Sequence, residues 1–355
     1  MSPPDPRQTS TPDRHGAARL VADGLVGHAD QVAVARASVS GADRGQPQRA
    51  LDLDVLGGLS LRLRPDRGLD VGAVWWRGTP LAWSSRVGEV AGRPTDAPQD
   101  WIRAFGGGLV TTCGLQNVGR PVEGYGQHGA FSSTPASEVT VTRTVVGDEL
   151  ELVVTGLVEE VDALDTFVEC RRTVTTRTGP VRLTVTDVVT NRGAVEVAAP
   201  MLYHVNLGAP VWSPGARLEV PGRADTVPRD DDARAALADW TAAPAPEPGG
   251  RERVFEHLFD AAVDDVSERR VRVVNPDLGV AVTVAWDAST LPRLHQWVHP
   301  RSGVYVLGIE PANCSVLGRA ADREAGRLPV LAAGASRTTS LTITAEDLAP
   351  TQESA

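Results

Sequence analysis

The segment LYHVNLG, residues 202–208, sets two side chains of chemical interest on one face of a strand. Strict alternation sends Leu202, His204 and Asn206 one way and Tyr203, Val205 and Leu207 the other. A face that merely meets water needs no adjacent histidine and asparagine. A second point of interest is Glu310, near the end of GVYVLGIEPAN, residues 303–313. VYVLGI is apolar on both faces, so Glu310 emerges from a buried strand. Desolvation there would raise its pKa and suit it to general base work near neutral pH. The plain alternative is a solvated acid at a strand end. Two more clusters place polar residues where a strand needs none. LRPDRGLDVG (63–72) holds Arg67 and Asp70 three apart, and the glycine-dense FGGGLVTTCGLQNVGRPVEGYGQHG (105–129) holds Asn117 and His128. Glycines in such a run permit tight loops and close backbone approach to a ligand.

Several chemistries are disfavoured by the same residues. No Gly-Lys-Ser/Thr follows the glycine run, so it is not a nucleotide P-loop. His295 and His299 in HQWVH share a strand face with Trp297, but no third ligand of suitable spacing lies nearby, and no metal site is expected. No GxSxG is present, and Ser84–Ser85 has no neighbouring histidine, which argues against a serine hydrolase.

The elements that must position these groups read as strands. QVAVARASVS (31–40), SEVTVTRTVV (137–146), VRLTVTDVVTN (181–191) and VRVVNPDLGVAVTVAW (271–286) are among a dozen candidates, and LDLDVLGGLSLRLRP (51–65) alternates on both sides of a Gly57–Gly58 turn. Helical crossovers between them are missing, so the expected fold is all-β, one large antiparallel sandwich with few short helices. Residues 1–16 read as a disordered polar tail, 17–348 as one domain and 349–355 as a second tail. Residues 17–28 suit a short helix. Residues 221–252 read as an insertion loop, either a lid or a plain surface excursion.

Composition narrows the partners. The 355 residues include 35 glycines and 26 prolines, in keeping with many strands joined by turns, and the formal net charge is −10. All 35 basic residues are arginine. An acidic chain without a basic tract is a poor partner for nucleic acid or an anionic membrane. Three widely spaced cysteines, Cys113, Cys170 and Cys314, show no metal spacing and fit a reducing cytoplasm, and no signal peptide or membrane segment is visible.

Taken together and in order, RGLDVG, GGGLVTTCGLQNVG, HGAFSSTPA, LYHVNLG and GIEPAN resemble the aldose 1-epimerase (galactose mutarotase)-like superfamily, in its bacterial branch, over roughly residues 50–345. The resemblance implies a β-supersandwich of the galactose mutarotase-like type with a carbohydrate cleft on one sheet and no cofactor. It implies Glu310 as the base on the anomeric hydroxyl, His204 as the acid on the ring oxygen, and His128 as a polarising hydrogen-bond partner. Asn206 would bind a sugar hydroxyl, with Asn117, Arg67, Asp70 and Gln296 as further binding candidates and Trp297 as a stacking surface. The sequence departs from the better-known enzymes in that Asn117 and His128 are split by a glycine-rich loop. The substrate expected is a sugar or sugar derivative, with Arg67, Arg120 and Arg301 leaving a phosphorylated one open, and the protein a monomer or homodimer. A different epimerase, lyase or hydrolase on the same scaffold, or a carbohydrate-binding protein without turnover, are the other readings.

Overall fold

Two antiparallel sheets account for most of the computed structural model, which describes residues 16–40, 47–90, 92, 99–164, 166–259 and 267–348. The expected tails fall at or beyond the ends of those ranges. From edge to edge, the larger sheet runs through Ala33–Ser40, Gln48–Val55, Leu59–Arg64, Asp70–Trp76, Val110–Gly114, Met201–Leu207, Val306–Ala312, Arg293–His299, Arg253–Phe259 and Arg223–Pro228. Thr79–Pro80 pairs with the fourth of these. The smaller sheet runs through Arg217–Glu219, Glu268–Asn275, Val280–Asp287, Ser336–Asp347, Arg182–Asn191, Phe167–Arg177, Glu149–Val161 and Ser137–Val146. Among the described residues there are four α-helices, none longer than six residues, and none long and apolar enough to cross a membrane.

Alternation does the sorting. Met201, Tyr203, Val205 and Leu207 enter the core between the sheets, together with Leu307 and Ile309 of the neighbouring strand and Val185, Val284 and Ile343 from the smaller sheet. Leu202, Val306 and Ala312 point the other way and join Trp83, Trp101, Phe105 and Cys314 in a second apolar cluster on the outer face of the larger sheet. Burial of the first set supplies the main driving force, at about 25 cal/mol per Å² of apolar surface. Of the second set, Trp101 and Phe105 also line a cavity on that outer face.

One polar network crosses the core. Arg172 of the smaller sheet holds Asp187 through two bonds of 2.9 and 2.7 Å, and reaches the larger sheet at Asp70 (2.7 Å) and Thr112 (2.7 Å). Tyr203 donates to Asp187 at 2.7 Å. Burial pushes the Asp70 carboxyl up, and the Arg172 guanidinium beside it works against that rise. Asp70, a candidate for sugar binding, therefore faces the interior, because its strand turns that side chain inward towards Arg172. Arg67 is also buried, with Nη1 donating to the Val90 carbonyl at 3.3 Å.

Residues 221–252 are more than a loop. They add the edge strand Arg223–Pro228 and the short helix Asp231–Ala235, which is capped by the Asp230 side chain accepting from Ala233 N–H. The strand's partner is Arg253–Phe259, so both ends of the segment return to the same sheet edge.

Candidate active site

Strand register brings the central pair together. Met201–Leu207 pairs with Val306–Ala312 so that Leu202 faces Ala312 and Val205 faces Ile309, which sets His204 directly opposite Glu310. His204 Nε2 lies 3.1 Å from Glu310 Oε1, and both side chains are about 95 % buried. Gly308, on the same outward face, is what leaves room for them. A Cβ there would come within 2.8 Å of Glu310 Oε1 and 3.0 Å of His204 Cε1. Gly308→Ala is expected to keep the fold but displace this pair, and any proton transfer that runs through it should slow by up to about 100-fold, the cost of an error on the order of 1 Å at reacting groups. A crystal structure together with turnover measurements would check both halves.

The pair sits in a cavity of about 250 Å³ on the outer face of the larger sheet, walled by Trp101, Phe105, His128, Arg229, Glu252 and Trp297. This lies just below the usual range of roughly 300–1,000 Å³ for small-molecule sites. Aromatic rings crowd His204: Phe105 is 5.3 Å and Trp297 5.1 Å away between ring centroids. Burial among them pushes the His204 imidazole down to about 3, with His128 adding to the shift. Burial likewise pushes Glu310 up to about 8, assisted by the Glu252 charge. The outcome is a carboxyl that holds its proton near neutrality beside a neutral imidazole.

His128 arrives on the glycine-rich loop. The loop is pinned by Asn117, whose amide donates to the carbonyls of Arg120 (3.0 Å) and Gly126 (2.8 Å) while its oxygen accepts from Arg319 N–H (3.2 Å). His128 Nδ1 accepts from Gly119 N–H at 3.4 Å, leaving Nε2 as the proton-bearing nitrogen of the neutral ring. Burial depresses His128 to about 4. Its ring packs on Trp101, 4.4 Å between centroids.

The far wall comes from the two ends of residues 221–252. Arg229 Nη2 bonds Glu252 Oε1 at 2.7 Å, and Trp297 Nε1 donates to Glu252 Oε2 at 2.9 Å, which fixes the indole. Burial works to raise the Glu252 pKa, but Arg229 and Trp297 hold it below the ordinary value.

The structure thus gathers Glu310, His204, His128 and Trp297 at one cavity and leaves the other expected residues outside its lining. Asn206 is buried beneath His204, its amide donating to the carbonyls of Gly108 (3.0 Å) and His204 (2.9 Å). Gln296 points to the opposite side of its strand, bonding His257 and the Trp240 carbonyl. Asn117 holds the loop from behind, and Arg67 and Asp70 lie in the interior. Of the three arginines that left a phosphate open, Arg120 lines the cavity, whereas Arg67 and Arg301 do not. His295 Nε2 is 3.1 Å from the Cys314 carbonyl, and no group of three or more potential metal ligands occurs among the described residues.

Sequence reasoning passed over Trp101, Phe105, Arg229 and Glu252. One local signal existed for the first two. Trp101 and Phe105 are four apart in DWIRAF, a spacing that stacks the two rings across the helix Asp100–Ala104 and the residue that ends it, just ahead of the glycine run. Nothing local marks Arg229 or Glu252, which meet only because the edge strand folds back.

This architecture, a two-sheet antiparallel supersandwich with an open cleft on the outer face of the larger sheet, is the galactose mutarotase-like fold. The chain belongs to the family described as a domain of unknown function (DUF4432), whose profile matches residues 45–345. Among solved structures it is similar to a "putative aldose 1-epimerase" from Klebsiella pneumoniae subsp. pneumoniae MGH 78578. The two are 24% identical, with 92% of this chain and 90% of that one covered at a TM-score of 0.80. It is also similar to a galactose mutarotase-like protein from Clostridium acetobutylicum (14% identity, 90% and 100% covered, TM-score 0.62). A third is a "putative aldose 1-epimerase" from Escherichia coli K12 (15% identity, 89% and 100% covered, TM-score 0.52). Comparison with curated proteins gives no match.

Proposed function

We propose that this protein is a cofactor-independent isomerase of the aldose 1-epimerase type, interconverting the anomers of a sugar or sugar derivative. The observation that carries the reading is the buried His204–Glu310 contact of 3.1 Å at the floor of the aromatic cavity. The reaction needs one proton removed from the anomeric hydroxyl and one delivered to the ring oxygen. Those two oxygens are bonded to the same carbon, so the acid and base must be close neighbours, as these are. From the resting form the Glu310 proton passes to His204 Nε2 across their 3.1 Å contact; Glu310, now a carboxylate, takes the hydroxyl proton while the imidazolium protonates the ring oxygen from Nε2. The bond from C1 to the ring oxygen breaks and C1 becomes a carbonyl. Rotation about C1–C2 and the reverse transfers close the ring as the other anomer. In this reading His128 Nε2–H donates to an oxygen of the bound sugar, and Trp297, Trp101 and Phe105, which line the cavity, take up its C–H surfaces.

The active protonation state holds one proton shared across the pair. Below about pH 3 both groups hold protons, and above about pH 8 neither does. The dependence of kcat/KM on pH is therefore expected to be a broad plateau between those limits. It should fall about tenfold per pH unit above pH 8. NMR magnetisation exchange between α and β anomers over a panel of sugars tests both the activity and the profile. If sugars in the panel bind, as line broadening would show, yet none exchanges faster with protein present, the protein is a binder without turnover or performs another reaction.

A further inference from the structure

We infer that Asn206 is a positioning residue that fixes His204 with its proton on Nδ1, leaving Nε2 as the nitrogen that exchanges protons with Glu310 and substrate. The catalytic consequence rests on the isomerase reading; the tautomer itself does not. The geometry starts from the Asn206 amide nitrogen, which is fully used by the carbonyls of Gly108 at 3.0 Å and His204 at 2.9 Å. This settles which end of the amide is which, so Oδ1 is its remaining acceptor. Asn206 Oδ1 and His204 Nδ1 are both buried, and neither has a hydrogen-bond partner among the described residues. They belong to side chains two residues apart on one strand face. Two bare acceptors buried together would each forfeit a bond, which costs about 1–3 kcal/mol per group. The Asn206 amide folds back onto the His204 backbone, so a proton on Nδ1 would supply a donor beside the unpartnered Oδ1. In keeping with that, the Asn206 side chain acts to raise the His204 pKa against the larger effects of burial and His128.

The arrangement matters for the direction of proton flow. Once Nε2 has given its proton to the ring oxygen, the neutral ring left behind is the Nδ1–H form, the one Asn206 stabilises. The same nitrogen then recovers the proton on ring closure, so the imidazole need not turn over between the two half-reactions. Of the titratable groups, Glu310 on Val306–Ala312 and His128 on the glycine-rich loop face the ring, and its other close neighbours are Phe105, Trp101 and Trp297.

The test is 15N NMR of protein labelled at histidine, at about pH 6, where an imidazole's nitrogens report its tautomer. The His204 signals are identified by their loss in His204→Gln. The expected result is a protonated, pyrrole-like Nδ1 and a pyridine-like Nε2. A ring protonated on Nε2, alone or on both nitrogens, overturns the inference. In Asn206→Leu, the Nε2–H form should grow and kcat fall about 100-fold with KM nearly unchanged, whereas Asn206→Asp, which keeps an acceptor, should restore the Nδ1–H form. Retention of the Nδ1–H form in Asn206→Leu also overturns the assignment. Should wild-type protein show the Nδ1–H ring but turn over no sugar, the isomerase reading fails and the role of Asn206 in setting the tautomer stands. If Asn206→Leu does not fold, the wild-type spectrum decides alone.

Discussion

Glu310→Gln should reduce anomer exchange by about 10²–10⁴-fold, the usual worth of a positioned general base, while leaving sugar binding in place. The same variant should be more stable than wild type at neutral pH. Glu310 titrates at about 8 in the folded protein, against an ordinary value of 4.5. The folded carboxyl thus holds a proton that the unfolded chain has already released. Its contribution to stability is intact below pH 4.5 and is lost progressively as pH rises to about 8. At pH 7 the loss amounts to on the order of 3 kcal/mol, since each pH unit climbed above the ordinary value costs about 1.36 kcal/mol. Glutamine does not titrate and escapes the loss. Urea denaturation of both proteins between pH 4.5 and 8 should show a stability difference that widens with pH. A difference that stays flat across that range would show that Glu310 is ionised in the folded protein, and would remove the physical basis for its role as a base tuned to neutrality. Loss of activity accompanied by gain of stability is what a desolvated carboxyl kept for function predicts.

The second large effect lies behind the cleft. Arg172→Met is expected to cost about 3–5 kcal/mol, because it strands Asp70 and Asp187 in the core without their cation. Both carboxylates are fully buried, and Arg172 bonds each at 2.7 Å. Pairing the change with Asp187→Asn should recover part of the loss, since one uncompensated charge is then gone, and the departure from additivity measures the coupling. Urea denaturation of the two single variants and the double variant checks this. The same variant also reports on function. Tyr203, which bonds Asp187, is the chain neighbour of His204, so loosening the network should disturb the floor of the cavity. Single variants whose effects simply add would mean that Arg172 and Asp187 are not energetically coupled.

Much of this protein is legible in its sequence. The segments RGLDVG, LYHVNLG and GIEPAN carry the resemblance from which the supersandwich and the candidate residues Glu310, His204 and His128 were expected. The fold is the one found, and the three residues converge on one cavity. Alternation also separated His204 from Tyr203 correctly, because side-chain direction along a strand is a local property of the backbone. The same rule went too far at Asn206. Facing the same way as His204 is not the same as reaching the ligand, and Gly108 and the His204 backbone cover it. Asp70 shows the complementary limit. An acid beside an arginine in a glycine-containing turn reads as a binding group, whereas it is half of a charge pair whose partner, Arg172, lies about a hundred residues away.

What the sequence by itself determined is therefore the period of each strand, the sandwich that such strands must build, and the side chains able to move protons. Tertiary structure alone decided which of those side chains share a cavity. Register set His204 opposite Glu310, the return of residues 221–252 to the sheet edge delivered Arg229 and Glu252, and the second apolar cluster brought Trp101 and Phe105 to the cavity wall. The physical reason is range. Side-chain direction is set by a residue's own dihedrals and two or three neighbours, whereas burial, charge partners and the pKa values they impose arise between strands distant in the chain.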